Sequence, residues 1–170
     1  MSFYRVKQFI WAAKSMVQKV DYTYANKFLN ESEKQLFNKL TKTDKQHSIR
    51  VCKEAIKILD NETMDKKLEI STVAKAALLH DIGKTDYSLN IIEKSVLVIL
   101  NRLTNGKLKK YDNIKPIDSY YNHPQKGVNI LKEFKVYDKE FLETIKYHHS
   151  TKNFESNKLL NIIRQSDNKS

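Results

Sequence analysis

The sequence predicts an all-α protein, a single compact multi-helix bundle, on three observations. Apolar residues recur at helical spacing through most of the chain. Glycine and proline are scarce, three and two in 170 residues, which leaves few of the turns that many short strands would need. Several apolar stretches are preceded by a capping residue, in places with a Glu or Gln three positions on, the signature of a helix start. A chain of this length suits one domain with a full hydrophobic core.

In order, Phe3 to about Val20 reads as a helix with Val6, Phe9, Ile10, Ala13 and Val17 on one face. Asn30 with Glu33 opens a short helix through Leu40. Thr43 with Gln46 forms a capping box for a helix to about Asp60, whose stripe of His47, Val51, Ala55 and Ile58 turns His47 toward the core. Ser71 or Thr72 starts the next helix, which ends at His80-Asp81 with Gly83 as its C′ residue. Ser88 caps a helix from Ile91 to Leu103, closed by Asn105-Gly106. It is apolar nearly all round, hence central or at a homodimer contact. Lys107 to Lys115 reads as an exposed loop. Pro124 opens a helix and leaves His123 at its N-terminus, where the dipole favours a neutral ring. Asp138 caps a helix to His148-His149, and Ser156 opens the last one, with Leu159, Leu160, Ile163 and Asp167 along one face.

Composition narrows the function. With 40% hydrophobic and 30% charged residues the chain is globular rather than disordered. No apolar run approaches the roughly 20 residues of a membrane span; Phe9 to Ala13 is broken by Lys14. The N-terminus shows no signal-peptide pattern, and the single cysteine, Cys52, reads as a buried core residue in a reducing compartment. The expected location is the cytoplasm, with no membrane partner. A net charge of +11 invites a nucleic-acid reading, but only four basic residues are Arg and the lysines are spread over every helix. Nucleic acid is therefore disfavoured, while the diffuse positive field favours approach of small anionic substrates.

The chemistry gathers at Leu78-Leu79-His80-Asp81-Ile82-Gly83-Lys84. A carboxylate at the C-terminal end of a helix is disfavoured by about 0.3–1 kcal/mol unless a cation, Lys84 or a bound metal, answers it. The remaining histidines are His47, His123, His148 and His149, and a late acid, Asp167, follows them. Taken singly, His47 reads as a satisfied core histidine and His148-His149 as a solvated helix end. Taken together they favour a metal centre, because several neutral imidazoles and a carboxylate are what a water-activating divalent cation needs.

In this order, with His80-Asp81-Ile82-Gly83 and His123-Pro124-Gln125-Lys126-Gly127 as written, the chain resembles the HD superfamily of metal-dependent phosphohydrolases, in its H-D-I-G branch. The resemblance runs from about Thr43 to Asp167. It divides the chain into an HD domain, 43–170, and an N-terminal helical extension, 1–42, packed on it. It implies one metal held by His47, His80, Asp81 and Asp167, and a second held by His123 and His148 with Asp81 as bridge. The cofactors would be two divalent ions among Mn, Fe, Co, Ni and Zn. It also implies hydrolysis of a nucleotide or related small phosphate compound by a metal-activated water, with Asp81, His80 and Lys84 catalytic and Arg50, Lys84 and His149 on the substrate. The cyclic-di-nucleotide branch places an acid and a Gly-Tyr-Pro loop after its His-His pair; here Ser150-Thr151-Lys152-Asn153-Phe154 follows, so that substrate is disfavoured. Two alternatives stand beside this reading: a mononuclear nucleotidase or dinucleotide-polyphosphate hydrolase, in which His123 and the His-His pair serve substrate, and a non-catalytic metal-bound signalling or nucleic-acid-binding module. Asp167, three residues from the end, is expected on a turn that frays without metal.

Overall fold

The computed structural model describes residues 18–61, 68–150 and 156–170. Among them are eight α-helices, two 3-10 turns and no strand, so the all-α expectation holds. The helices are α1 (Tyr22–Ala25), α2 (Glu31–Lys39), α3 (Lys42–Asn61), α4 (Ile70–Leu79), α5 (Ile91–Leu103), α6 (Lys115–Lys132), α7 (Lys139–Tyr147) and α8 (Lys158–Lys169). The helix expected from Phe3 lies outside the described residues except for Gln18 to Val20, which are not helical. No helix among the described residues is long and apolar enough to cross a membrane.

Of the two helices that read as strongly apolar, α4 is the central one. Its Val73, Ala74, Ala76, Ala77, Leu78 and Leu79 have no exposed surface, and its alanines let α3 on one side and α8 on the other approach closely. The expectation of a central place for the Ile91–Leu103 helix is corrected. Among the described side chains of α5 only Leu97 is buried, while Ile92 and Leu103 are 75% and 74% exposed. It lies on the periphery, against α6 and the 3-10 turn Lys107–Tyr111 that stands where a loop was expected. Residues ahead of α3 share the same core, through Ala25, Leu29, Leu36, Phe37 and Leu40. Buried Glu33 ties them down: it closes the Asn30 capping box, accepts the Tyr137 hydroxyl at 2.8 Å and pairs with Lys75 at 3.1 Å.

Four helix starts differ from expectation, each for a local reason. α3 begins two residues earlier than the Thr43–Gln46 box, because Thr41 accepts the Asp44 N–H, leaving Gln46 to donate to the Gln18 carbonyl at 2.7 Å. α4 begins at Ile70 behind Glu69, with Ser71 and Thr72 already in its first turn. The α5 capping box is Asn90 with Glu93, while Ser88 donates to Asp44. The cap of α8 is Asn157, which accepts the Leu160 N–H at 2.7 Å, rather than Ser156. Asp138 caps α7 as expected.

The largest correction concerns α6. Pro116 occupies its first turn and Pro124 lies inside it. A proline removes one donor from the helical ladder, yet here the helix runs through it. His123 therefore sits in the middle of a helix, not at its N-terminus.

Candidate metal centre

The centre is assembled where α4 ends. His80 is the C-cap of α4, and Asp81 follows at φ −99°, ψ 12°, in the sparsely populated bridge region where active-site residues are often found. Gly83 does not act as a left-handed helix cap; it lies in a 3-10 turn, Ile82–Thr85. Its role is contact. A Cβ on Gly83 would stand 1.9 Å from the His123 carbonyl oxygen and 2.6 Å from the Gly127 nitrogen. The glycines of the two motifs thus face each other across a backbone-to-backbone contact, which brings His123 to Asp81.

Three imidazoles are aimed by their own helices. Nδ1 of His80 meets the Ala77 carbonyl at 2.7 Å, Nδ1 of His123 the Ser119 carbonyl at 2.8 Å, and Nδ1 of His148 the Ile145 carbonyl at 2.7 Å. A carbonyl can only accept, so each Nδ1 carries a proton, and each ring in its neutral form presents the Nε2 lone pair inward. Around Asp81 these atoms fall into two halves. Oδ1 faces His123 Nε2 at 3.3 Å and His148 Nε2 at 3.7 Å. Oδ2 faces His80 Nε2 at 3.3 Å, His47 Nε2 at 3.8 Å and the Lys84 ammonium at 2.5 Å. Asp167 closes the second half, 3.0 Å from His47 Nε2. His149 stands at the edge, its Nδ1 3.5 Å from Asp167.

Nε2 of His80, His123 and His148 and Oδ1 of Asp81 are buried with no hydrogen-bond partner among the described residues. Buried polar atoms are normally satisfied, and lone pairs facing a carboxylate repel it. A divalent cation resolves both problems, and the mixed N/O donor set suits a transition metal. Two ligand clusters fit one: His47, His80 and Asp81; and Asp81, His123, His148 and His149.

A protein-family model, the HD domain, matches residues 45–169. The chain belongs to the HD-domain family. No curated protein and no solved structure matches it. The family generally comprises hydrolases within a metal-dependent phosphohydrolase superfamily, and the clusters of this HD domain are able to hold metal.

The electrostatics of the HD domain follow from burial opposed by charge. Burial would raise Asp81, but Lys84 and His80 hold its carboxyl well below the usual range. Asp167 is likewise lowered against its burial, by His47 and His80. Burial pushes His123 down to about 4; its neutrality comes from desolvation, not from the helix dipole expected at a helix start. His47 and His149 are lowered by the same cause, whereas His80 is raised, the fields of Asp81 and Asp167 outweighing its burial.

A pH dependence follows for metal-stripped protein. A histidine whose folded pKa lies below its unfolded value of 6.5 stabilises the fold above pH 6.5, and that stability is lost as pH falls toward the folded pKa, here about 4 for His123. His47 and His149 act in the same direction. His80 acts oppositely, stabilising below pH 6.5. The lowered carboxyls contribute fully above their unfolded value of 3.8 and lose that contribution only as pH falls below it. The melting temperature in EDTA should therefore fall between pH 7 and 4.5, and His123→Gln should flatten the slope. A flat wild-type curve would contradict the assignment of neutral buried rings.

The centre opens into a cleft of about 640 Å³ lined by Asp81, His47, His123, His149, Asp167 and Lys84 among others. Arg50 is not among its lining residues; it is half-buried, and burial lowers its pKa. Three residues past His47 is some 60° off in helical phase, enough to leave the cleft. Lys84, expected on substrate, has its ammonium on Asp81 itself. Sequence reasoning missed Lys94, Lys109, Lys146, Tyr120 and Tyr121, all of which line the cleft. Lys94 and Val98, four apart on α5, were the available signal, obscured by the apolar run around them.

Proposed function

We propose that this HD domain is a dinuclear metal-dependent phosphohydrolase of the H-D-I-G branch, acting on a nucleotide or related small phosphate compound. The observation that carries it is the division of Asp81: one oxygen turned to His123 and His148, the other to His47 and His80, with three buried Nε2 atoms lacking any partner among the described residues. His47, His80, Asp81 and Asp167 would hold one ion, and Asp81, His123 and His148 the other. Bound there, divalent cations polarise phosphoryl oxygens and lower the pKa of water.

The chain's own residues do the rest. Asp81 stays a carboxylate at neutral pH and keeps both oxygens available. The Nδ1–H bonds of His80, His123 and His148 fix their rings, so little reorganisation is needed when ligands arrive. Lys84 brings a charge beside Asp81 that a phosphate can share. His149, 48% exposed at its side chain and lining the cleft, is available to substrate. Tyr120 and Tyr121, ring centroids 4.9 Å apart at 87°, offer an aromatic wall for a base.

Purified protein should carry about one to two equivalents of transition metal, and its melting temperature should rise when Mn, Ni or Zn is added to stripped protein. A panel of phosphomonoesters and phosphodiesters should then reveal turnover. Lys84→Ala should keep the metal and lower the rate roughly ten- to hundredfold, the loss of one charge-assisted hydrogen bond. Protein that binds no metal and gains no stability from it would sink the proposal; metal without turnover on any ester would leave a non-catalytic module.

A further inference from the structure

The charge lining the cleft exceeds what one phosphoryl group can use. Some lysines outside the cleft pair with carboxylates: Lys53 with Asp21 at 3.1 Å, Lys75 with Glu33 at 3.1 Å, Lys126 with Asp118 at 2.5 Å. In the cleft Lys84 pairs with Asp81 and Lys146 lies 5.2 Å from the Tyr147 ring centroid. Lys94 of α5 and Lys109 of the following 3-10 turn line the same cleft from two separate elements, and neither forms an ion pair among the described residues. The two positions are exposed, so each keeps its charge in water at the mouth. The Lys84 ammonium lowers Lys94 against the opposing fields of Asp81, Asp167 and Asp44, so the two cations face one space.

The charge balance, which rests on the dinuclear reading above, identifies the missing partner. Two divalent cations held at Asp81 and Asp167 would be neutralised by those two carboxylates together with one phosphoryl dianion. Lys84 has Asp44, another lining residue, within its field. Lys146 sits over the Tyr147 ring, which leaves Lys94 and Lys109 with neither an ion pair nor a ring contact among the described residues. We propose that Lys94 and Lys109 form a second anion subsite, which makes this cleft select phosphate esters carrying at least one further phosphate beyond the group that reacts. The cleft volume of about 640 Å³ has room for such a chain together with an aryl group against Tyr120 and Tyr121. The two lysines act on specificity by contact with the non-reacting phosphate.

Calorimetry on metal-stripped protein with inorganic tripolyphosphate and with orthophosphate tests this without turnover. Tripolyphosphate should bind at least about tenfold more tightly, and Lys94→Ala and Lys109→Ala should each weaken it roughly three- to tenfold while leaving orthophosphate unchanged. Lys132→Ala, an exposed lysine outside the cleft, should change neither. Equal affinity for the two anions, or loss in Lys94→Ala and Lys109→Ala no larger than in Lys132→Ala, would overturn the subsite. With metal restored, the same two variants should lower kcat/KM for a nucleoside diphosphate and spare the monophosphate. Turnover of both with no preference in wild type would also overturn it. Intact tripolyphosphate selectivity with no turnover of any ester would uphold the subsite and count against the hydrolase reading alone.

Discussion

Asp81→Asn should lose turnover by at least about a thousandfold, roughly 4 kcal/mol of barrier, and with it most of the bound metal. The residue is 1% exposed and faces His47, His80, His123, His148 and Lys84 at once. An amide keeps the shape, but its nitrogen cannot donate a lone pair and its charge no longer draws cations. His123→Ala should differ in kind, because His123 approaches Oδ1 alone. It should remove about one equivalent of metal, keep the other and retain measurable activity. Metal analysis and steady-state rates on both variants separate the cases; equal metal content and equal activity in the two would refute the dinuclear assignment.

Gly83→Ala should be far more damaging than Gly127→Ala. The added carbon would lie 1.9 Å from the His123 carbonyl oxygen and 2.6 Å from the Gly127 nitrogen, both backbone atoms that no rotamer change can move. The turn and α6 must separate, at an expected cost of about 3–5 kcal/mol, or a fall in melting temperature of roughly 6–20 °C for a chain of this size. Gly127→Ala meets Ile145 Cγ2 at 3.2 Å and the Gly83 nitrogen at 3.3 Å, contacts that small shifts relieve, so its loss should be a fraction of that. Thermal melts of the two variants give the order directly. A Gly83→Ala protein as stable as wild type would mean that the two motifs are not in backbone contact. In whatever Gly83→Ala folds, His123 should be pulled off Asp81 and about one metal equivalent lost.

Where the sequence led and where it misled divides along a physical line. The capping pair Asn30–Glu33 and the cap Asp138 were legible because a side chain satisfies backbone N–H groups two or three residues away. The stripe of Val51, Ala55 and Ile58 was legible because helical period alone sets which residues share a face. Pro124 misled because the usual penalty for proline inside a helix was outweighed by the packing of α6, which buries Ile117, His123, Gly127, Val128 and Leu131. The α5 helix misled because an apolar surface does not say whether its own chain covers it.

The candidate site shows the same division. Its donor types and their order, His47, His80-Asp81, His123, His148-His149 and Asp167, stand in the primary structure, because imidazole and carboxylate chemistry belongs to the residues themselves. So does the all-α class, which needs only period, caps and few turn formers. Which oxygen of Asp81 each imidazole faces, that Gly83 and Gly127 touch, that Lys84 rests on Asp81, and that Lys94 and Lys109 share the cleft while Arg50 does not, are set by packing. Apart from the local Lys84–Asp81 pair, they depend on how separate helices pack, as in the contact of Gly83 with Gly127, and no local rule of spacing or propensity reaches that far.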